Sequence, residues 1–163
     1  MQALASSINE FQRTLEAAPL ELSRFSDAQA SVASVPGHWS PKEILGHLLD
    51  SAANNHHRFV RAQYQGELTM PGYAQEKWVS TQHYQGRPWN DLVQFWTAYN
   101  RHLLHLMQHV NENRLQVPCR IGDDEPVTLE FLMIDYVRHL RHHWEQIRAA
   151  QTPSPQIARS QSD

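Results

Sequence analysis

Residues Trp39 to Gly66 read WSPKEILGHLLDSAANNHHRFVRAQYQG. Ser40 offers an N-cap oxygen, Pro41 carries the preset φ of a first helical residue, and Glu43 lies three positions past the cap, where its side chain can reach back. This is the firmest helix start in the chain, and Gly66 is its expected stop near Gln65. Ile44, Leu48, Ala52, Phe59 and Ala62 mark one apolar direction on a wheel of about 100° per residue. His47, Ser51, Asn54 and Arg58 form a second stripe, at spacings of four, three and four. Four polar side chains in line read as the wall of a water-filled pocket. His47 stands at one end and Arg58 at the other, where the guanidinium would either grip an anionic substrate or pair with an acid. His56 and His57 fall away from both stripes.

Three further segments carry the same period, and no period-2 run is long enough to suggest a sheet. The first helix is expected at about Leu4 to Ala17, with Leu4, Ile8, Phe11 and Leu15 on one face and Pro19 limiting its extent. The third is expected from Trp89 to Asn113, with Leu92, Trp96, Tyr99, Leu103, Leu106 and Val110 as its core stripe. The fourth starts from Thr128 as N-cap and reaches about Ala150. Between the second and third lies GELTMPGYAQEKWVSTQHYQGRP, long for a connector and of a length more often found in lids or pocket walls. The segment VPCRIGDDEPV before the fourth helix suggests a short hairpin-like turn. The fold class is therefore all-α, a four-helix bundle with a long loop between helices two and three. One domain is expected over residues 1–151, with a disordered tail at 152–163 that has almost no apolar content.

The totals narrow the function. The chain has 163 residues, enough for a core without staples, and a formal charge of −3 from 14 Lys and Arg against 17 Asp and Glu. That balance gives no positive excess for nucleic acid. No apolar run approaches the roughly 18 residues of a membrane span. A single cysteine, Cys119, excludes an internal disulfide, and with no leader-like N-terminus the expected compartment is the cytoplasm. Cys119, in a loop beside Arg120, reads as one partly buried thiol. Eleven histidines stand out more than the charge does.

The fourth helix contains YVRHLRHHWEQI, Tyr136 to Ile147. Leu129, Met133, Tyr136, Leu140, Trp144 and Ile147 define its buried direction, from which His143 lies about 40° away, His139 about 80° and His142 about 140°. His142 should face solvent. His139 and His143, one turn apart, can converge on one ion, and His47 on the second helix is the natural third ligand. On the wheel alone, hydrogen-bonded histidines at a helix edge are the competing reading. Asp135, one turn before His139, is either an orienting partner or a surface charge. His102, His105 and His109 on the third helix lie about 100–160° from its core stripe and read as a solvated face, where His105 and His109 could form at most an adventitious metal site. The five tryptophans read as core and loop anchors.

The ordered motifs WSPKEILGHLLDSAANNHHRF, YAQEKW and HLRHHWEQI make the chain, from about Trp39 to Ile147, similar to the DinB/YfiT-like superfamily of metal-dependent enzymes, nearest its YfiT-like branch with the bacillithiol S-transferases. The resemblance implies a four-helix bundle, a homodimer, and one divalent metal ion held by His47, His139 and His143, with zinc and nickel both compatible with imidazole ligands. An ion so held lowers the pKa of a bound thiol or water. The leading expectation is a thiol S-transferase joining a low-molecular-weight thiol to an electrophile. Arg58, Asn54 and Ser51 would position the small-molecule substrate, with Tyr73 and Trp78 covering the pocket. The alternatives are a metal-dependent hydrolase and a non-catalytic metal- or ligand-binding stress protein. A hydrolase would want a carboxylate base near the metal, and the two helices offer only Asp50 and Asp135.

Overall fold

In a computed structural model of the chain, residues 2–150 are described; the tail expected at 152–163 lies outside them. Four long helices form the bundle: α1 (Gln2–Leu22), α3 (Pro41–Tyr64), α5 (Trp89–Gln108) and α6 (Leu129–Ala149). Between them lie the short helices α2 (Asp27–Ala30) and α4 (Gln75–Gln82), and the strands β1 (Leu68–Met70), β2 (Pro118–Ile121) and β3 (Val127–Thr128).

Side-chain contacts give the helix directions. Phe59 packs on Tyr136 while His47 packs on His143, so α3 and α6 are antiparallel. Glu10 pairs with Arg141 and Glu21 with Arg148, so α1 and α6 are parallel. His56 meets Tyr99 while Gln63 accepts from the Asn111 amide just past α5, so α3 and α5 are parallel as well. The order is up-down-down-up. Parallel α3 and α5 are consecutive long helices, so the chain must travel back the length of α3, about 36 Å for its 24 residues, before α5 can start. That requirement explains the long connection at 65–88. It climbs along α3, with Tyr73 beside Ser51 and Arg58, Tyr84 bonded to Asp50, and Gln85 bonded to Ser40.

The core is one cluster built on Phe11, Phe59, Trp96, Leu103, Met133 and Leu140, all fully buried. The start of α3 is as the sequence dictates: Ser40 and Glu43 form a reciprocal capping box with Pro41 in the first turn. Several expectations are corrected. α1 runs to Leu22 with Pro19 inside it, because burial of Ala18 and Leu22 outweighs the one backbone bond that a proline cannot donate. α3 leaves its last turn through an extended Gln65 rather than a left-handed glycine. α5 ends at Gln108, and 112–114 form a separate 3-10 turn. The buried face of α5 is rotated from the expected stripe: Val93, Thr97, Asn100 and Met107 are inside while Tyr99, Leu106 and Val110 are half-exposed. The polar members are satisfied locally, Thr97 donating to the Val93 carbonyl and Asn100 joining the Trp96 carbonyl to the Tyr136 hydroxyl.

A sheet was not expected, yet a small one closes the lower end of the bundle, with β2 antiparallel to β3 and parallel to β1. Its strands are too short for periodicity to register. Cys119 lies in β2, fully buried, where burial raises its thiol pKa; it is a strand residue rather than a loop thiol. At the upper end the buried Lys42 ammonium meets Asp27, whose other oxygen accepts from the Trp89 amide, tying the starts of α2, α3 and α5 together. Among the described residues no helix is long and apolar enough to cross a membrane.

Candidate metal centre

His47 sits in the second turn of α3, fully buried; His139 and His143 project from successive turns near the end of α6, half-buried. Antiparallel packing of α3 on α6 brings the three rings face to edge, with centroids 5.0, 4.8 and 4.6 Å apart. One ligand atom from each lies within 4.8 Å of the others. His142 is exposed and outside the group, as the wheel requires. His102, His105 and His109 are also exposed, with the His105 and His109 rings 4.2 Å apart on the surface.

The Nε2 atoms of His47 and His139 face each other at 3.1 Å. Without an ion one must donate to the other, and then one proton serves two nitrogens while the Nδ1 atoms of both rings remain buried without a protein partner. A divalent ion resolves this crowding, since two tetrahedral nitrogens at about 2.0–2.1 Å from zinc stand about 3.3 Å apart. Protonation agrees. Burial, reinforced by the neighbouring imidazoles, pushes His47 down to about 3 and His139 to about 4, and burial lowers His143 as well. All three are neutral near pH 7, the form that can ligate. The donor set fits a divalent cation.

His143 has the best-defined tautomer. Its Nδ1 lies 2.8 Å from Gln146 Oε1, so Nδ1–H donates and Nε2 keeps its lone pair; Gln146 Nε2 in turn donates to His142 at 3.1 Å. Outer partners of this kind are worth about 10–100-fold in metal affinity. Gln146 is exposed, so water can partly replace it, and Gln146→Ala should weaken binding by about tenfold, the lower end of that range. Gln146→Glu, a stronger acceptor, should restore or tighten binding. Chelator-competition titration reads both, and unchanged affinity in the alanine variant would refute the orienting role.

Below His47 the same face of α3 carries a buried polar stripe, richer than expected. Asp50, Ser51, Asn55 and Arg58 are all buried. Asn55 donates to the Ser51 carbonyl and accepts weakly from Arg58; Asn54 lies half-buried and donates to the Asp50 carbonyl, so Asn55 carries the contact with Arg58. Arg58 Nε has no hydrogen-bond partner, and among the described residues no carboxylate pairs with Arg58. Burial lowers its pKa, opposed by Tyr73. The Tyr73 hydroxyl touches Ser51, and its ring lies 5.3 Å from that of Trp78, which is 38 % exposed. Asp50 Oδ1 accepts from Tyr84 at 2.6 Å and from Gln82, while Oδ2 is unpartnered; burial raises this carboxyl against both hydrogen bonds. Asp135 pairs with Arg138, and its charge partly offsets the lowering of His139 without a bond to it.

Sequence periodicity placed the three histidines and Arg58 on the helix faces where the structure has them. It did not find Asn55, Tyr84, Gln82 or Trp39, whose ring lies 5.1 Å from that of His47. Asn55 differs from Asn54 by one position, within the wheel's tolerance; the others reach the site through long-range contacts that carry no local period.

Among curated proteins none matches the chain in sequence. Among solved structures, YfiT from Bacillus subtilis, described as a probable metal-dependent hydrolase with an unusual four-helix bundle topology, superposes with a TM-score of 0.73 at 20% identity, covering 88% of this chain and 85% of that one. At that identity the likeness establishes the fold. In sequence, the model of the DinB superfamily matches residues 7–147, which include all four long helices nearly entire and all three histidines, and the chain belongs to that superfamily.

Proposed function

We propose that this protein is a metal-dependent thiol S-transferase. His47, His139 and His143 would hold one divalent ion, zinc or nickel, whose role when bound is to lower the pKa of a thiol to near or below neutrality. The observation that carries the choice of nucleophile is the engagement of Asp50 and Asp135, the carboxylates that α3 and α6 offer beside the histidines: Asp50 receives Tyr84 and Gln82, and Asp135 receives Arg138. Among the described residues no carboxylate joins the histidine group, so a nucleophile that needs no general base suits the site. The thiol gives its proton to solvent, sulfur bonds to the electrophilic carbon, and the leaving group departs with the electron pair of the broken bond. Arg58, with Ser51, Asn54 and Asn55 along its helix, would bind a carboxylate of the thiol cosubstrate. Tyr73 and Trp78 cover that side. A homodimer in the cytoplasm is the expected setting.

The second reading is hydrolysis, favoured by the description of YfiT as a probable metal-dependent hydrolase. The deciding assay offers metal-loaded protein 1-chloro-2,4-dinitrobenzene with a panel of low-molecular-weight thiols and, separately, p-nitrophenyl acetate without thiol. Thiol-dependent turnover of the first is expected. Arg58→Ala should then raise KM for a carboxylate-bearing thiol about ten- to hundredfold, the equivalent of a lost charged hydrogen bond of about 1.5–3 kcal/mol. Thiol-independent ester cleavage alone would favour hydrolysis, and neither activity with metal bound would favour a binding protein.

A further inference from the structure

The polar stripe accounts for one side of the histidine group. The other side opens into a cleft of about 640 Å³, within the range of small-molecule sites. Its walls come from three places that the fold brings together: Val35 and Trp39 on the segment before α3, Glu76 in the first turn of α4, and His143, Gln146 and Ala149 at the end of α6. The cleft reaches the candidate metal centre through two residues. His143 lines it directly, and Trp39, which also lines it, packs its indole against His47.

The chemistry of the cleft is opposite to that of the stripe. Among the described residues no lysine or arginine lines it, and the one carboxylate is Glu76. Apart from the ion held at the histidines, an anion would meet Glu76 with no lysine or arginine among the described residues to offset it, whereas an apolar body finds Val35, Ile44 and the face of Trp39, with the Gln146 amide at hand for a hydrogen bond. Val35 is 52 % exposed, so the apolar surface is available to a ligand.

We propose that this cleft is the subsite for the electrophile, and that it selects a neutral organic molecule with an apolar or aromatic body. The inference rests on the thiol-transfer reading, and it gives that reading its second half: the anionic cosubstrate enters along α3 toward Arg58, the neutral one between α4 and the end of α6, and the two meet at the histidines. Ala149 is an exposed residue of α6 that lines the cleft, so Ala149→Trp fills it without disturbing the core. Glu76→Lys reverses its charge.

The test is binding of the neutral fluorescent probe N-phenyl-1-naphthylamine to the full chain, with metal content measured in parallel. Wild type should bind the probe, 1-chloro-2,4-dinitrobenzene should displace it, and Ala149→Trp should weaken it by about tenfold or more at unchanged metal content. Glu76→Lys should leave the neutral probe nearly unaffected while strengthening the anionic probe 8-anilinonaphthalene-1-sulfonate by about tenfold. No probe binding, equal binding in Ala149→Trp, or a wild-type preference for the anionic probe would each overturn the assignment. Turnover with thiols but no displacement of the probe by the electrophile would remove the cleft and leave the transferase standing. Displacement and Ala149→Trp sensitivity without thiol turnover would do the reverse.

Discussion

His47→Ala should weaken divalent-metal binding by more than about a hundredfold, beyond the 10–100-fold typical of a lost outer partner, because it removes one of three ligands and the one held most rigidly. His47 is fully buried in the second turn of a helix whose first turn is fixed by a capping box, so its ring has no freedom to be replaced by a neighbour. His139→Ala and His143→Ala should follow it. His142→Ala and His105→Ala should retain metal within about twofold, since both rings are exposed and outside the group. Metal content after gel filtration reads the pattern. Thermal unfolding reads it independently: zinc at 100 times the wild-type Kd should add about 2.7 kcal/mol to wild type and at most about 0.4 kcal/mol to His47→Ala. Equal loss of metal across all five variants would sink the assignment of the ion to the interhelix group.

That contrast follows from what local sequence can and cannot encode. His139, His142 and His143 occupy one turn and a half, and helical geometry alone separates the inward pair from the outward one. The α3 cap, the four long helices and the polar stripe were legible for the same reason, each set by residues within about four positions of one another. The direction in which α5 runs was not. Nothing local tells α5 to lie parallel to α3, and only that choice makes 65–88 a return path roofing the stripe instead of a free loop. The hairpin-like turn expected at 117–127 is the β2–β3 pair, but β1 escaped notice because it has three residues and pairs with positions about 50 further along the chain. The cleft beside His143 escaped too, since its walls come from three segments distant in sequence.

Gly46→Ala tests the point where the return path touches the centre. In a helix interior alanine is normally favoured over glycine by about 1 kcal/mol. At Gly46, however, a β-carbon would stand closer than 3.0 Å to Cγ, Cδ2 and Cε2 of Tyr84, so it is the ring body that must retreat. Such overpacking costs about 1–3 kcal/mol. Retreat also withdraws the Tyr84 hydroxyl from Asp50, which is 2 % exposed and already has one unpartnered oxygen; leaving a buried acceptor less satisfied costs about 1–3 kcal/mol more. The two penalties outweigh the propensity gain, for a net loss of about 1–5 kcal/mol, read as a lower urea midpoint at unchanged m. Tyr84→Ala should destabilise as well. In that background the sign of Gly46→Ala should reverse, because with the ring gone only the helix propensity of alanine remains, up to about 1 kcal/mol in favour of the fold. If Gly46→Ala were equally destabilising with and without Tyr84, the glycine would be serving the backbone of α3 itself, and the seating of 84–86 against the residue next to His47 would not depend on it.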